Sequence, residues 1–206
     1  MKLEVNATRM ELLRLKKRIV LARRGHKLLK DKQDELMRRF MDMIKGYRKL
    51  RREVEGKLAS AFRSFIFSRA VTRREFVEES FLGSKEPLQV ELSAYAIMNI
   101  KAPELKLHSM PDVFTYGFSD TPSDLDQSLT LLSEALPLMV QLAQTERSIE
   151  LLAEEIERTR RRVNALEYVL IPNLTDTIKH ITMRLAEMER SNLTRLMKVK
   201  DIVRAH

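Results

Sequence analysis

The sequence predicts an all-α dominated protein: a long antiparallel two-helix coiled coil with a small β-hairpin or irregular middle region. Three observations lead there. Charged residues make up 33% of the chain and aromatics 6%, with five Gly and no Trp, so the 44% of apolar residues suit a narrow aliphatic seam better than a thick core. Five of the six prolines fall between Pro87 and Pro137 and the first 86 residues hold none, leaving two helix-permissive arms about a broken centre. Both arms carry apolar residues at alternating steps of three and four. The expected division is residues 1–82 for the N-terminal long helix, 83–122 for the middle hairpin region and 123–206 for the C-terminal long helix.

The first arm starts from Thr8, an N-cap with Glu11 at the third helical position. Its seam runs through Leu12, Leu15, Ile19, Ala22, Leu29, Leu36, Phe40, Met43, Tyr47, Leu50 and Val54. His26 and Gln33 occupy seam positions, and the plainest role for such polar residues is to fix helix register. Past Val54 the apolar positions become Leu58, Phe62 and Phe65, which is one shift of register. Helical from Thr8 to about Phe81, the arm would reach on the order of 110 Å at 1.5 Å per residue, and such a rod needs a partner.

In the middle region Leu88, Val90 and Leu92 alternate with polar neighbours, as do Leu105 and Leu107, which reads as two short strands. A lone hairpin is marginal in water, so this one is expected to pack on the coiled coil or on another protein of an assembly. The stretch from Gly117 to Pro122 then returns the chain to helix, with Thr121 or Ser123 as the cap.

The second arm supplies the partner seam: Leu125, Leu129, Leu132, Leu136, Met139 and Ala143, then Ile149, Leu152, Ile156, Val163 and Leu166. Beyond Pro172 it restarts at Leu174, Ile178, Ile181, Leu185, Met188, Val199 and Ile202, so Pro172 marks a kink or phase change within one long helix. Pro137 is expected to bend the start of the arm. Two straight arms of equal length would pair residues whose numbers sum to about 205, setting Gln33 opposite Pro172 and Gly25 near His180. Gly25 costs about 1 kcal/mol relative to Ala inside a helix, which is either tolerated or reflects close approach of another backbone.

The chemistry the chain lacks narrows its function. No glycine-rich loop precedes Lys-Ser or Lys-Thr, and Arg24-Gly25-His26-Lys27 lies inside the heptad pattern, so neither nucleotide nor any other cofactor is expected. The four histidines are scattered, Cys is absent, and no nucleophile, base and oxyanion site stand at recognisable spacing; the chain is expected to be neither a metal site nor an enzyme. No run approaches the ~20 apolar residues of a membrane span, so direct membrane insertion is not expected.

The formal charge of +9 is concentrated in residues 1–82, where 23 Lys/Arg stand against 11 Asp/Glu. Such a surface attracts nucleic acid, lipid headgroups or an acidic protein lining, and charge alone does not choose among them. From composition alone the runs Lys16-Lys17-Arg18 and Arg160-Arg161-Arg162 read first as solvated helix faces and only second as binding patches.

Several segments resemble the D subunit, the central rotor shaft, of V-type and A-type ATPases in its prokaryotic form. They are Asn6-Ala7-Thr8-Arg9 through Leu15; Arg24-Gly25-His26-Lys27-Leu28-Leu29-Lys30-Asp31-Lys32; Arg160-Arg161-Arg162-Val163-Asn164-Ala165-Leu166-Glu167 with Ile171-Pro172; and the tail from Glu187 to Lys200. The resemblance implies a non-catalytic shaft that transmits torque between a nucleotide-hydrolysing or -synthesising ring and an ion-translocating membrane rotor. Its implied partners are the catalytic and regulatory ring subunits (A and B type), the small F-type protein of the central stalk and a membrane-rotor adaptor of C or d type. The implied location is the cytoplasm, peripheral on the membrane. Arg23, Arg24, Arg160, Arg161 and Arg162, basic clusters inside these motifs, are the candidate ring contacts. A basic coiled coil for nucleic acid is a rival reading, weakened by few aromatics for stacking. A membrane-surface scaffold is another, weakened because the apolar seam is already used.

Overall fold

The computed structural model describes residues 6–73, 88–109, 114 and 122–204. In chain order they form helix α1 (Arg9–Val71), strands β1 (Gln89–Ile97) and β2 (Ile100–Ser109), helix α2 (Ser123–Asn164), a π-helical segment (Ala165–Leu170) and helix α3 (Ile171–Arg204). The expected architecture is therefore present: long helical arms with a small antiparallel hairpin between them.

Helix α1 begins as its sequence dictates. The Glu11 N–H donates to Thr8 Oγ1 at 3.2 Å, and the Leu12 N–H makes the first helical bond to the Thr8 carbonyl. The helix ends at Val71, ten residues before the expected end; residues 74–81 of that expectation lie outside the described residues. Thr121, one of the two expected caps of α2, also lies outside them, and the Pro122 carbonyl accepts the Leu125 N–H at the helix start.

The chain divides into two compact units, residues 1–35 with 156–206 and residues 36–155. In the first, Leu15 and Ala22 of α1 pack with Leu174 and Ile181 of α3, wrapped by Leu12, Ile19, Leu170 and Ile178. The pairing is antiparallel, because Arg9 bonds Glu189 and His26 bonds Glu167. These pairs correct the expected register. Gly25 stands level with the turn around Glu167 rather than His180, and Gln33 with residues near Arg160 rather than Pro172. The equal-arm register fails because it assumes straight helices of equal length, whereas α1 stops early and the second arm contains a widened turn.

In the second unit Lys57 Nζ lies 3.1 Å from Glu134 Oε2 and Phe65 stands beside Ser128 and Leu129, so α1 and α2 are again antiparallel. The α1 seam is buried or half-buried at Leu36, Phe40, Met43, Tyr47, Leu50, Val54, Leu58, Ala61, Phe65 and Ser68. Two successive steps of four around Val54 are the single register shift the sequence calls for. The residue that follows the shift is Ala61, not Phe62, whose side chain is exposed. Given the Lys57–Glu134 pair, the shift in α1 stands level with Pro137 in α2, so the two irregularities of this unit coincide.

The α2 seam departs further from expectation. Leu132, Met139 and Ala143 are exposed, while Ser128, Ala135, Ser148 and Thr159 are buried between the larger Leu129, Leu152, Ile156 and Val163. The hydroxyls of Ser128 and Ser148 donate back to carbonyls of their own helix, those of Leu125 and Gln144, which lets small polar residues fill an apolar seam.

The hairpin sits in this second unit and packs on α2. Ala102 is buried, and the Leu105 N–H donates to Gln144 Oε1 at 3.1 Å. A two-residue turn, Met98–Asn99, joins the strands, with Met98 in the left-handed region at φ 55°.

Candidate functional site

The residues singled out from the sequence fall mostly in the first unit. Arg23 and Arg24 project from α1 as exposed side chains, and so do Arg160, Arg161 and Arg162 from the end of α2. Arg161 lies 3.6 Å from Glu157 on its own helix, a solvent-exposed pair that contributes little to stability. The two clusters do not form one patch. By the register above, Arg160–Arg162 stand level with Gln33, roughly 13 Å along the axis from Arg23 and Arg24.

The motif segments themselves do meet. His26, half-buried in the α1 seam, places Nε2 3.2 Å from Glu167 Oε2, joining residues 141 positions apart. Glu167 belongs to the π-helical segment, which Pro172 explains. The Pro172 nitrogen has no hydrogen to give the Tyr168 carbonyl four residues earlier, and its ring crowds that carbonyl. The helix instead widens by one residue, so that the Ile171 N–H bonds the Leu166 carbonyl. The phase change expected at Pro172 is therefore located in the turn just before it, and the wider turn pushes Tyr168 and Val169 into solvent, Tyr168 to 72% exposure. Pro172 itself is exposed, and Gln33 is half-buried.

At Gly25 a Cβ would meet nothing within 4 Å, so no neighbouring backbone among the described residues requires the glycine. Among the described residues no group of three His, Cys, Asp or Glu is placed to hold a metal ion, and no helix is long and apolar enough to cross a membrane.

Three features escaped the sequence reading. The first is Glu167, whose partner is set by a register that heptad counting alone does not fix. The second is the division of charge. The unit made of residues 1–35 and 156–206 holds 22 Lys/Arg against 11 Asp/Glu, a formal +11, whereas residues 36–155 hold 16 against 18, or −2. Counting by arm rather than by compact unit hid this contrast. The third is the end of α3. Every residue from Ala186 to Arg204 is exposed, including the expected seam residues Met188, Val199 and Ile202. Arg9, where α1 starts, already stands beside Glu189, so α3 runs on past its partner with Leu193, Leu196, Met197 and Val203 also uncovered. Nearby, a groove of about 370 Å³ opens between Leu12 and Leu13 of α1 and Leu185 and Ala186 of α3.

Antiparallel helix pairing in each unit, a strongly basic unit and a helix end whose apolar residues are exposed among the described residues define a structural element of a larger assembly. Comparison with known proteins makes this specific. The sequence pattern of the family of ATP synthase D subunits matches residues 11–201. The chain is similar to the V-type ATP synthase D subunit of Acetivibrio thermocellus, 51% identical over 98% of this chain and 92% of that protein. It is similar also to those of a Thermoanaerobacter species, 49% identical over 98% and 97%, and of Clostridium novyi, 47% identical over 98% and 96%. The chain belongs to the family of ATP synthase D subunits. It is a central-stalk component of a rotary ATPase, with a structural and not a catalytic role.

Proposed function

We propose that the chain is the torque-bearing shaft of this ATPase, and that the unit formed by residues 1–35 and 156–206 is the part that enters the ring of A- and B-type subunits. One observation carries the reading: the unit combines a formal +11 with a helix end whose apolar residues have no partner among the described residues of this chain. Leu196, Val199 and Val203 share one face of α3 at helical spacing, so an apolar collar matches the end of the helix. Below it, Arg23, Arg24 and Arg160–Arg162 face acidic groups of the ring. As the shaft rotates, each cluster meets the ring subunits in turn, and the charges act through differences between rotary positions. The small F-type stalk protein and the C- or d-type membrane-rotor adaptor bind the unit formed by residues 36–155, whose near-neutral surface does not compete for an acidic lining. Within this membrane-bound complex the chain lies peripherally, on the cytoplasmic side of the membrane.

The test is reconstitution from purified subunits. One copy of this chain is expected per ring. Charge reversal at Arg23 and Arg24 together, or at Arg160–Arg162 together, is expected to lower ATP turnover or rotation without unfolding the chain. Unchanged turnover, torque and assembly in both variants would remove the arginines from the mechanism. A ring that assembles and turns over ATP normally without the chain would remove the shaft role itself.

A further inference from the structure

The two strands of the hairpin differ in how their outer edges are covered. The Leu105 N–H is donated to Gln144 of α2, so it points away from β1. Leu105 stands opposite Leu92. In an antiparallel ladder the two residues of a pair either exchange both backbone bonds or turn both sets of groups outward. The N–H and C=O of Leu92 therefore point out of the hairpin, and by alternation so do those of Val90, Ala94 and Ala96. Two further features fix the same phase. Pro103, opposite Ala94, has its missing N–H at a β2 position facing away from β1, where proline costs the ladder nothing. Ile97 and Ile100 flank the two-residue turn, where the bonded pair belongs.

The outer edge of β2 lies against α2, and β2 also carries Pro103, Lys101 and Lys106, residues that discourage strand pairing. The outer edge of β1 has neither Pro nor Lys. Its Leu92 is 71% exposed, Val90 is exposed beside it, and no third strand pairs with it among the described residues. The protective residues are thus on the strand already covered, while the uncovered strand offers four consecutive outward pairs of donor and acceptor.

We propose that β1 is a strand acceptor: an extended segment of another protein of the ATPase adds along it as a third strand, bonding to the backbone of Val90, Leu92, Ala94 and Ala96. The inference rests on the stalk reading, which places the chain inside a multi-subunit complex. The edge defines its occupant. Only an extended backbone matches four N–H and C=O pairs repeating every second residue. Its alternate side chains are apolar, because they lie beside the Val90–Leu107 and Leu92–Leu105 pairs. Alongside Val90 to Ala94 it is uncharged, because Glu91 already lies 3.4 Å from His108 and Glu104 3.5 Å from Lys106, which leaves no open counter-ion among these four side chains.

The experiment is hydrogen–deuterium exchange resolved to single amides, on the isolated full chain and on the assembled ATPase. Strand addition predicts an alternating pattern: the amides of Val90, Leu92, Ala94 and Ala96 slow by roughly tenfold or more on assembly. Those of Glu91, Ser93 and Tyr95, bonded to β2 in both states, change little. Ala94→Pro, which removes one outward donor at the position facing Pro103, is expected to weaken assembly, whereas Ala94→Val, which keeps the N–H, is expected to leave it intact. Equal exchange in both states overturns the proposal. So does uniform slowing of both sets, which signals a partner packed on the face rather than along the edge. Protection in the isolated chain that grows with its concentration overturns it in favour of pairing between two copies. Failure of the wild-type chain to assemble would count against the stalk reading itself and is seen before any exchange is measured.

Discussion

His26 and Glu167 show what a single contact contributes to the register of this protein. Their side chains meet at 3.2 Å, with His26 20% exposed and Glu167 46%, so solvent screens much of the interaction. A double-mutant cycle on His26→Ala and Glu167→Ala, read by thermal denaturation, is expected to return a coupling of about 0.5 kcal/mol. A coupling of zero would reduce the pair to coincidence. Two residues of the seam are less well provided for: the hydroxyls of Ser68 and Thr159 are buried with no hydrogen-bond partner among the described residues. Thr159→Val keeps the shape and removes the orphaned group, and is expected to raise stability by about 1 kcal/mol in urea titration. A loss of stability would mean that Thr159 has a polar partner.

At the scale of the element, the heptad seam governs which substitutions are costly. Leu36 is fully buried in α1 and Leu36→Ala is expected to cost about 2–5 kcal/mol, while Phe62→Ala, at a position the sequence also places in the seam, is expected to cost roughly 0.5 kcal/mol or less. Denaturation of the two variants side by side checks the register beyond Val54. The helix start at Thr8, the seam of α1 as far as Val54, the strands around Leu92 and Leu105 and the irregularity at Pro172 were all legible, because local patterns encode them: a cap, a period, an alternation and a missing N–H. The step past Val54 was not. A run of two steps of four has two readings, and Phe62 outweighs Ala61 in any count of apolar residues although the smaller side chain is the one that fits the buried position. The seam of α2 was obscured for a similar reason, since Ser128, Ser148 and Thr159 read as polar until their place between the helices is known. The cross-helix pairing depends on helix lengths and on the wide turn before Pro172, which no local period reports. For the candidate ring contacts, the sequence located the basic motifs but not the two levels at which they stand.

For the molecule as a whole, the separation of charge between its two units sets an expectation for assembly. With +11 on one unit and −2 on the other, the proposed entry of the basic unit into an acidic ring lining is expected to be steered electrostatically, so the association rate should fall by roughly tenfold or more between low and physiological salt, while the proposed binding of the F-type stalk protein to the other unit should depend on salt much less. Stopped-flow measurements on the two steps separate these cases, and equal salt dependence would contradict the assignment of ring and stalk partners to different units. The central claim is that this chain turns. The most direct measurement is single-molecule rotation of a bead attached to the chain in the assembled ATPase, comparing the full chain with one lacking residues 190–206. Stepwise rotation on ATP with the full chain, and slipping or weakened torque when the uncovered end of α3 is removed, is the predicted result. ATP turnover beneath a stationary bead would contradict it, and identical torque from the two chains would contradict the role given to the uncovered end of α3.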